Sequence, residues 1–400
     1  MSKSFRSVFV LISVLLVLTG CWNRREMNDL LIAAGMGVDK VDEGYLVTIQ
    51  VIDPGEITAK KGGGHTPVTV YSETGETVFA ALRKMTTVAA RKIYFSHLRM
   101  FVIGEETARK DGIANVTEFL YRDHELRADY YIAVARNSTA KEVLEGLTPI
   151  ENIPAHKLFT SLDMSSHFYA GTETCKIDDL VSDLVTEGKS PAITGIRYIG
   201  DKDKADKKEN LDVTDPYAQL KYEGIAVFRR DKLVGWLDED ESKGYNYISG
   251  KSKGTVKAIS CPEEDGELSV ELIRTNSNVH VSHKDQSPEI NIKIEAEGNV
   301  GEFQCRRSDL TNLKTLKELE DLAAEAIVNK VQKAIDKVTL LKTDFIGFGM
   351  HINRVSPSTW EKYKEGWGER FSSIPVTVKA SVKLRNTGKT DGSFLEKIKE

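Results

Sequence analysis

The sequence predicts a multi-domain protein of the α+β class, in which mixed sheets and packed helices form a mixed α/β arrangement. In the first half, β-rich runs alternate with segments whose apolar residues recur at helical spacing. The second half is β-rich until residue 310 and continues into one long amphipathic segment. The chain has 400 residues, 40% hydrophobic and 29% charged, which is ordinary for folded proteins and favours two or three domains.

The N-terminus has the pattern of a secretory signal peptide. Lys3 and Arg6 precede an apolar run over residues 8–18, with no acidic residue among them. Because a membrane-spanning helix needs about 20 apolar residues, this run is too short to cross a bilayer. Its order of charged and apolar residues is typical of a cleaved signal peptide, here residues 1–20.

The residues at the end of this run resemble a bacterial lipobox. Leu18, Thr19 and Gly20 directly precede Cys21. The resemblance implies that a thioether-linked diacylglycerol is placed on Cys21, that the preceding bond is cut, and that Cys21 becomes the acylated N-terminus. A thiolate is the nucleophile this step requires, and two or more acyl chains suffice for stable anchoring. The alternative is an uncleaved signal anchor with an accidental cysteine.

The charge balance excludes a strongly basic surface. The formal net charge is -5 for the whole chain, and loss of residues 1–20 leaves 53 basic against 60 acidic residues. Such a balance gives no net attraction to nucleic acid or anionic lipid, so acyl chains rather than a basic patch are expected to hold the protein at a membrane. No later segment approaches a membrane span, and we expect one soluble ectodomain after Cys21.

The cysteines give no metal site and no disulfide framework. Cys175, Cys261 and Cys305 lie at unrelated spacings. Export would permit one disulfide, but the sequence does not choose the pair. We expect no metal and no cofactor.

Turn signals and periodicity place elements in the first half. The turn signal at Asp42–Gly44, between two β-rich runs, predicts a hairpin, and the glycine-rich residues 60–65 predict a loop. The predicted strands cover residues 66–73, 98–104 and 129–137, and the predicted helices cover residues 77–90, 112–123 and 139–147.

A charged stretch over residues 200–215 indicates a linker or a long exposed loop. After it, a hairpin is predicted to turn at Arg230 to Lys232. Further predicted strands cover residues 254–260, 267–275, 277–283, 289–298 and 374–386.

The strongest predicted helix covers residues 311–341. A coiled coil is one interpretation, since Ile327, Val331 and Val338 belong to a heptad-like series. Extending that repeat backwards meets Glu320 and Lys317 at seam positions, which favours a straight helix packed on a sheet.

A last helix is predicted over residues 356–371, with Trp360, Tyr363, Trp367 and Phe371 close to one face. This aromatic stripe could stack a ligand, but anchoring of the helix to the core is the favoured interpretation. The predicted domains after the signal peptide are residues 21–199, α/β; residues 216–260, small and β-rich; and residues 261–400, α+β, with the charged segment 200–215 as linker or loop.

Two motifs resemble a phosphate-binding loop and a metal site, but neither meets the requirements of that site. The stretch Glu187–Ser190 lacks the glycine five residues before Gly188 that a phosphate-binding loop requires, and Pro191 follows directly, so a turn is predicted. His280 and His283 lie three apart on a predicted strand and therefore face opposite sides rather than one metal ion. No nucleophile elbow occurs, and the chain is predicted not to be an enzyme.

Five segments, in order along nearly the whole chain after residue 20, resemble the Ger(x)C family, the C subunits of spore germinant receptors. They are residues 21–39, 95–106, 119–135, 223–241 and 344–371. The resemblance implies a three-domain mixed α/β fold and a lipoprotein on the outer face of the inner spore membrane. It also implies two partners, an integral-membrane A subunit and a multi-spanning B subunit, in a receptor for small nutrients. The resemblance assigns a chemical role to Cys21 alone, as the acceptor of the diacylglycerol.

The leading hypothesis is therefore a lipid-anchored receptor subunit without catalysis. The alternatives are a solute-binding lipoprotein of a transporter, which usually has two similar α/β lobes, and a lipid-anchored cell-wall hydrolase. The sequence does not identify the nutrient, show whether this chain binds it directly, or locate the face that docks on partners.

Overall fold

The computed structural model of the chain describes residues 30–52, 66–252, 254–262, 264–284, 287–305 and 309–386. The predicted signal peptide, Cys21 and the predicted loop 60–65 lie outside the described residues. Two sheets carry helices packed against them, so the α+β fold class is confirmed. In the described part of the chain, no helix is both long and apolar enough to span a bilayer.

The first sheet is mixed. Its order is β3-β2-β1-β5-β6-β7-β8-β9, and β4 pairs with the start of β1. The four central strands β1, β5, β6 and β7 run parallel, and antiparallel strands flank them on both sides. The strands are β1 (Leu30–Val41), β2 (Gly44–Ile52), β3 (Val68–Gly75), β4 (Lys92–Tyr94), β5 (Met100–Ile103), β6 (Tyr131–Ala135), β7 (Ala192–Gly200), β8 (Ala218–Arg229) and β9 (Lys232–Leu237).

Helices cover both faces of this sheet, which explains why β5 and β6 are apolar at every position. Helices α1, α2 and α5 bury their apolar sides against one face, and α3 and α4 bury theirs against the other. These helices are α1 (Val78–Met85), α2 (Ala114–Arg122), α3 (Ala140–Glu145), α4 (Pro154–Phe168) and α5 (Ile177–Val185). Both predicted hairpins, at Asp42–Gly44 and at Arg230 to Lys232, are confirmed.

The second sheet has the order β10-β11-β12-β13, with β12 and β13 parallel. Its strands are β10 (Thr255–Ser260), β11 (Glu267–Lys284), β12 (Ser287–Phe303) and β13 (Val376–Asn386). The helices of this half are α6 (Glu239–Ile248), α7 (Leu313–Leu341), α8 (Phe348–Val355), α9 (Pro357–Tyr363) and α10 (Trp367–Arg370). A disulfide joins Cys261, just after β10, to Cys305, just after β12.

The long helix α7 packs on the second sheet, as predicted. Its buried face, which includes Ile327, Val331 and Val338, belongs to the same core as the apolar face of β11 and β12. The first predicted turn differs, since Leu313 is 80% exposed. The predicted helix over residues 356–371 is divided into α9 and α10 because Gly366 adopts a left-handed conformation (φ 70°).

The charged stretch 200–215 connects β7 to β8, two hydrogen-bonded strands of the first sheet. Asn210 anchors it, since its side chain donates to the carbonyl of Ala218 (3.0 Å) and accepts from the Ala218 amide (2.9 Å). Residues 216–260 contribute β8 and β9 to the first sheet and β10 to the second. The domain boundaries themselves stay predictions.

Carboxylates at the start of α6 bind lysines along α7. Lys330 and Lys333 both donate to Asp240, the latter at 2.5 Å, and Lys337 lies 3.1 Å from Glu241. The hydrogen bonds from the two lysines lower the pKa of Asp240 from 3.8 to about 2. The side chain of Asp240 is 36% exposed, so solvent screens much of this interaction.

Replacing Asp240 by asparagine is expected to lower the free energy of unfolding at neutral pH by about 1 kcal/mol. Because the folded-state pKa is lowered, this stability is present above pH 3.8 and is lost as the pH falls through about 2. Denaturant unfolding between pH 2 and 7 should therefore show a shallower acid limb for Asp240→Asn than for the parent chain. Asp336→Asn, on an exposed part of α7, is the matched control, and an equal change in both variants would contradict the assignment.

Candidate functional site at the junction of the two halves

An open cleft of about 470 Å³ lies where the two halves of the chain meet. Three segments form it: the turn between α5 and β7, the turn between β8 and β9, and the chain from the end of α7 to α10. Two of the five segments that resemble the family, residues 223–241 and 344–371, therefore meet at this cleft.

The turn Glu187–Ser190 is confirmed as a turn, and the structure shows what it contacts. Trp360 donates its indole Nε1 to Glu187 Oε2 (2.8 Å), and the Met350 amide donates to the carbonyl of Gly188 (3.0 Å). Gly188 has a φ of 76°, and a Cβ there would lie 2.4 Å from the carbonyl carbon of Gly349. Glycine is thus required by both conformation and contact, so this turn is a docking point for α8 rather than a phosphate loop.

A buried carboxylate organises the other side of the cleft. Asp344 is 3% exposed and accepts from the amide of Gly347 (2.7 Å), the amide of Gly349 (2.8 Å) and Nε1 of Trp367 (2.9 Å). Burial raises the pKa of Asp344, and these donors oppose the rise because they stabilise the ionised form. The Asp344 carbonyl also accepts from the Ser190 amide (2.8 Å), which ties the carboxylate's segment to the turn.

The aromatic stripe is part of the core, as the favoured interpretation expected. Trp360 and Trp367 are 3% and 8% exposed, and their rings meet edge to face at 5.3 Å between centroids. Phe371 stacks on Phe348 at 5.2 Å. The two tryptophans nevertheless line the cleft, so the stripe both anchors the segment and supplies an apolar wall.

Cations surround the mouth of the cleft. Lys189 pairs with Asp183 (2.5 Å), Lys342 pairs with Glu369 (2.9 Å), and Arg229 donates to the carbonyl of Leu341 (2.6 Å). Among the described residues that line the cleft there is neither histidine nor cysteine. The Thr343 hydroxyl donates to the carbonyl of Phe228 (2.7 Å). Lys189, Lys342 and Arg229 are thus each engaged by a group of the chain itself.

A second polar contact joins the halves further along the first sheet. Asn246 on α6 donates to the carbonyls of Ala170 (2.8 Å) and Thr172 (3.1 Å). Lys251 lies 2.6 Å from Glu173, whose side chain is 1% exposed. The Glu173 carboxylate raises the pKa of Lys251, and burial raises the pKa of Glu173 against the opposing charge of Lys251. The two sheets are therefore held together at two separate places.

The residues of the predicted lipidation site are not among those that the structure describes. Leu18, Thr19, Gly20 and Cys21 lie outside the described residues. The structure does settle the other cysteines, since Cys261 pairs with Cys305 and Cys175 is a buried free thiol. Glu264 lies close to the disulfide, but the two sulfurs are bonded to each other and not free to ligate a metal.

The two strand histidines do not share a site. His280 is exposed on β11, and His283 Nε2 lies 3.2 Å from the Thr359 hydroxyl at the start of α9. The sequence does not predict the cleft, because two of its walls, the turn 187–190 and the segment 342–369, lie more than 150 residues apart in the chain. The only signal for it was that two family-like segments form part of its lining.

Comparison with known proteins gives a consistent result over the full chain. Residues 23–198 match the family described as "Spore germination protein N-terminal domain", and residues 223–388 match "Spore germination B3/ GerAC like, C-terminal". The chain is 32% identical to spore germination protein KC of Bacillus subtilis (strain 168), with 100% of this chain and 99% of that protein covered. It is 25% identical to spore germination protein B3 of the same strain, with coverage of 96% and 99%.

A solved structure shares the fold. The crystal structure of the GerBC protein superposes with a TM-score of 0.56 at 21% identity, covering 88% of this chain and 97% of that chain. At this identity the likeness concerns the fold alone. The matches to both family domains and the full-length relative establish that the chain belongs to the Ger(x)C family of spore germination proteins.

Proposed function

We propose that this protein is a non-catalytic, lipid-anchored subunit of a nutrient germinant receptor. The observation that carries the proposal is the 32% identity, over 100% of the chain, to a protein named for spore germination. The family match begins at residue 23, two positions after Cys21, which agrees with a signal peptide that ends at the lipobox.

In this proposal, acyl chains on Cys21 hold the described domains at the outer face of the inner spore membrane. The partners are an integral-membrane A subunit and a multi-spanning B subunit. Tethering raises the effective concentration of the protein near these partners, so a tight soluble interface is not required. The junction cleft lies where the hydrogen bonds from Trp360 to Glu187 and from the Ser190 amide to the Asp344 carbonyl join the two halves of the chain.

A solute-binding lipoprotein of a transporter is less well supported. Such proteins have two similar lobes, whereas here the first half has a mixed sheet covered on both faces and the second has a four-stranded sheet with one long helix. No observation favours a cell-wall hydrolase.

Isolation of the tagged full chain from spore membranes tests the proposal. We expect the A and B subunits to accompany it, and an unrelated lipoprotein with the same tag serves as control. Purification of the chain without either membrane subunit, under detergent conditions that preserve known membrane complexes, would contradict the subunit assignment.

A further inference from the structure

A second cavity, of about 420 Å³, opens on the first half of the protein between α1, α2 and β4. Its interior is apolar and includes Leu82, Ile93 and Phe95. Two phenylalanines stand at its walls, Phe79 on α1 and Phe119 on α2, with ring centroids 6.3 Å apart. Phe79 is 48% exposed, so its ring is accessible at the mouth of the cavity.

Basic residues outnumber acidic ones around this cavity. Arg83, Arg91, Lys92 and Arg122 line it, against two carboxylates, Asp123 and Glu125. This local surplus has the opposite sign to the net charge of the whole chain, which is -5. The negative net charge of the whole chain therefore does not exclude a local cationic patch at this cavity.

Two of these cations are available to a ligand. Lys92 pairs with Glu125 (2.5 Å), and Arg122 forms an ion pair with Glu118. In the part of the chain that the structure describes, neither Arg83 nor Arg91 forms an ion pair, and Arg83 lies over the Phe79 ring, 4.8 Å from its centroid. The cavity thus combines an apolar interior with uncompensated guanidinium groups, which bind phosphate in a bidentate manner.

The cavity lies beside the start of β1, close in the chain to the predicted lipid anchor on Cys21. Strand β4 pairs in parallel register with the start of β1, so Leu30 is opposite Lys92 and Leu31 is opposite Ile93. Nine residue steps separate Leu30 from Cys21, and they span at most about 30 Å when fully extended. If Cys21 carries the lipid, as proposed above, the cavity lies on the part of the protein that emerges from the membrane anchor.

We propose that this cavity binds an anionic phospholipid of the membrane to which the protein is anchored. An acyl chain enters the apolar interior beside Phe79, and the phosphate is bound by Arg83 and Arg91. Apolar burial and the attraction of cations to an anionic surface act together in such contacts. The inference rests on the proposed function only for the position of the anchor, and it assigns a second membrane contact that fixes the orientation of the protein.

The test uses the full-length lipidated protein with vesicles whose acyl chains carry bromine, which quenches tryptophan fluorescence on contact. A Phe79→Trp variant, the cavity reporter, places an indole at the cavity wall, with the parent chain as background for its 4 tryptophans. A Leu340→Trp variant, the control reporter, carries the indole at a 72% exposed position of α7. Flotation with the vesicles measures the lipid anchor separately.

We expect the cavity reporter to be quenched in vesicles that contain phosphatidylglycerol, and the control reporter not to be quenched. Adding Arg83→Gln and Arg91→Gln to the cavity reporter should raise the phosphatidylglycerol concentration for half-maximal quenching about tenfold or more. Circular dichroism and thermal unfolding check that these variants stay folded.

Three outcomes would overturn the proposal: quenching of the cavity reporter no greater than that of the control reporter, quenching equal in phosphatidylcholine, or quenching unaffected by the two arginine substitutions. Burial of the cavity reporter's indole only on addition of the A and B subunits would also overturn it, in favour of a protein partner.

If the protein did not float with the vesicles, the lipid anchor on Cys21 would be contradicted. Dispersed short-chain brominated phosphatidylglycerol would then decide about the cavity alone, since it needs no anchor: quenching of the cavity reporter supports the site and its absence overturns it.

Discussion

Replacement of Cys21 by alanine is expected to release the protein from the spore membrane and to abolish nutrient-triggered germination. Without the thiol no diacylglycerol can be attached, and the single phospholipid contact proposed at the cavity between α1, α2 and β4 is too weak to retain the protein by itself. The described domains should still fold, because both sheets and their cores are built from residues 30 onward.

Membrane fractionation of spores and release of dipicolinic acid after addition of nutrient measure the two effects. Cys175→Ala is the matched control, since it removes a buried thiol that takes no part in the disulfide. That variant should keep both membrane retention and germination. Spores with Cys21→Ala that retain the protein and germinate normally would show that the lipid is not required.

Replacement of Asp344 by alanine is expected to lower the free energy of unfolding by about 3–5 kcal/mol. Two backbone amides and the Trp367 indole lose their acceptor in a region closed to water, and each unpaired donor carries its own desolvation cost. The loop between α7 and α8 should loosen as a result, and with it the contact of Gly188 with α8.

Denaturant-induced unfolding of the full chain measures this loss. Asp344→Asn keeps the shape of the side chain and one acceptor oxygen, so it should lose less than the alanine variant. Asp336→Ala is the matched control, at an exposed site of α7 where the carboxylate accepts from Gln332 alone among the described residues, and it should change stability by no more than about 0.5 kcal/mol. A loss below about 1 kcal/mol for Asp344→Ala would contradict the role assigned to this carboxylate.

Local patterns predicted the elements that depend on local chemistry. The hairpin at Asp42–Gly44 and the buried face of α7 are confirmed, because turn residues and apolar spacing act over a few positions. The alternating β-rich pattern of the second half also forms strands, but the two strands predicted over residues 267–275 and 277–283 are one continuous strand, β11. Helix α4 is not evident from the sequence although Ala155, Leu158 and Leu162 recur at helical spacing, because serine, threonine and aspartate residues interrupt the apolar signal.

Arrangements that depend on distant residues could not be predicted. Nothing local distinguishes β8 as a neighbour of β7 in the first sheet from a strand of a separate domain. The disulfide between Cys261 and Cys305 required the register of β10, β11 and β12, which brings the ends of these strands together. The contact of Glu187 with Trp360 spans 173 positions, so the turn could be identified from the sequence but its partner could not.

Mass analysis of the mature polypeptide, extracted from spore membranes with detergent, tests whether the protein is lipid-anchored. We expect the N-terminal peptide to begin at Cys21 and to carry the added mass of a diacylglycerol on its sulfur. A mature chain with an unmodified Cys21, or one that begins elsewhere, would contradict the anchor on which the proposed function depends.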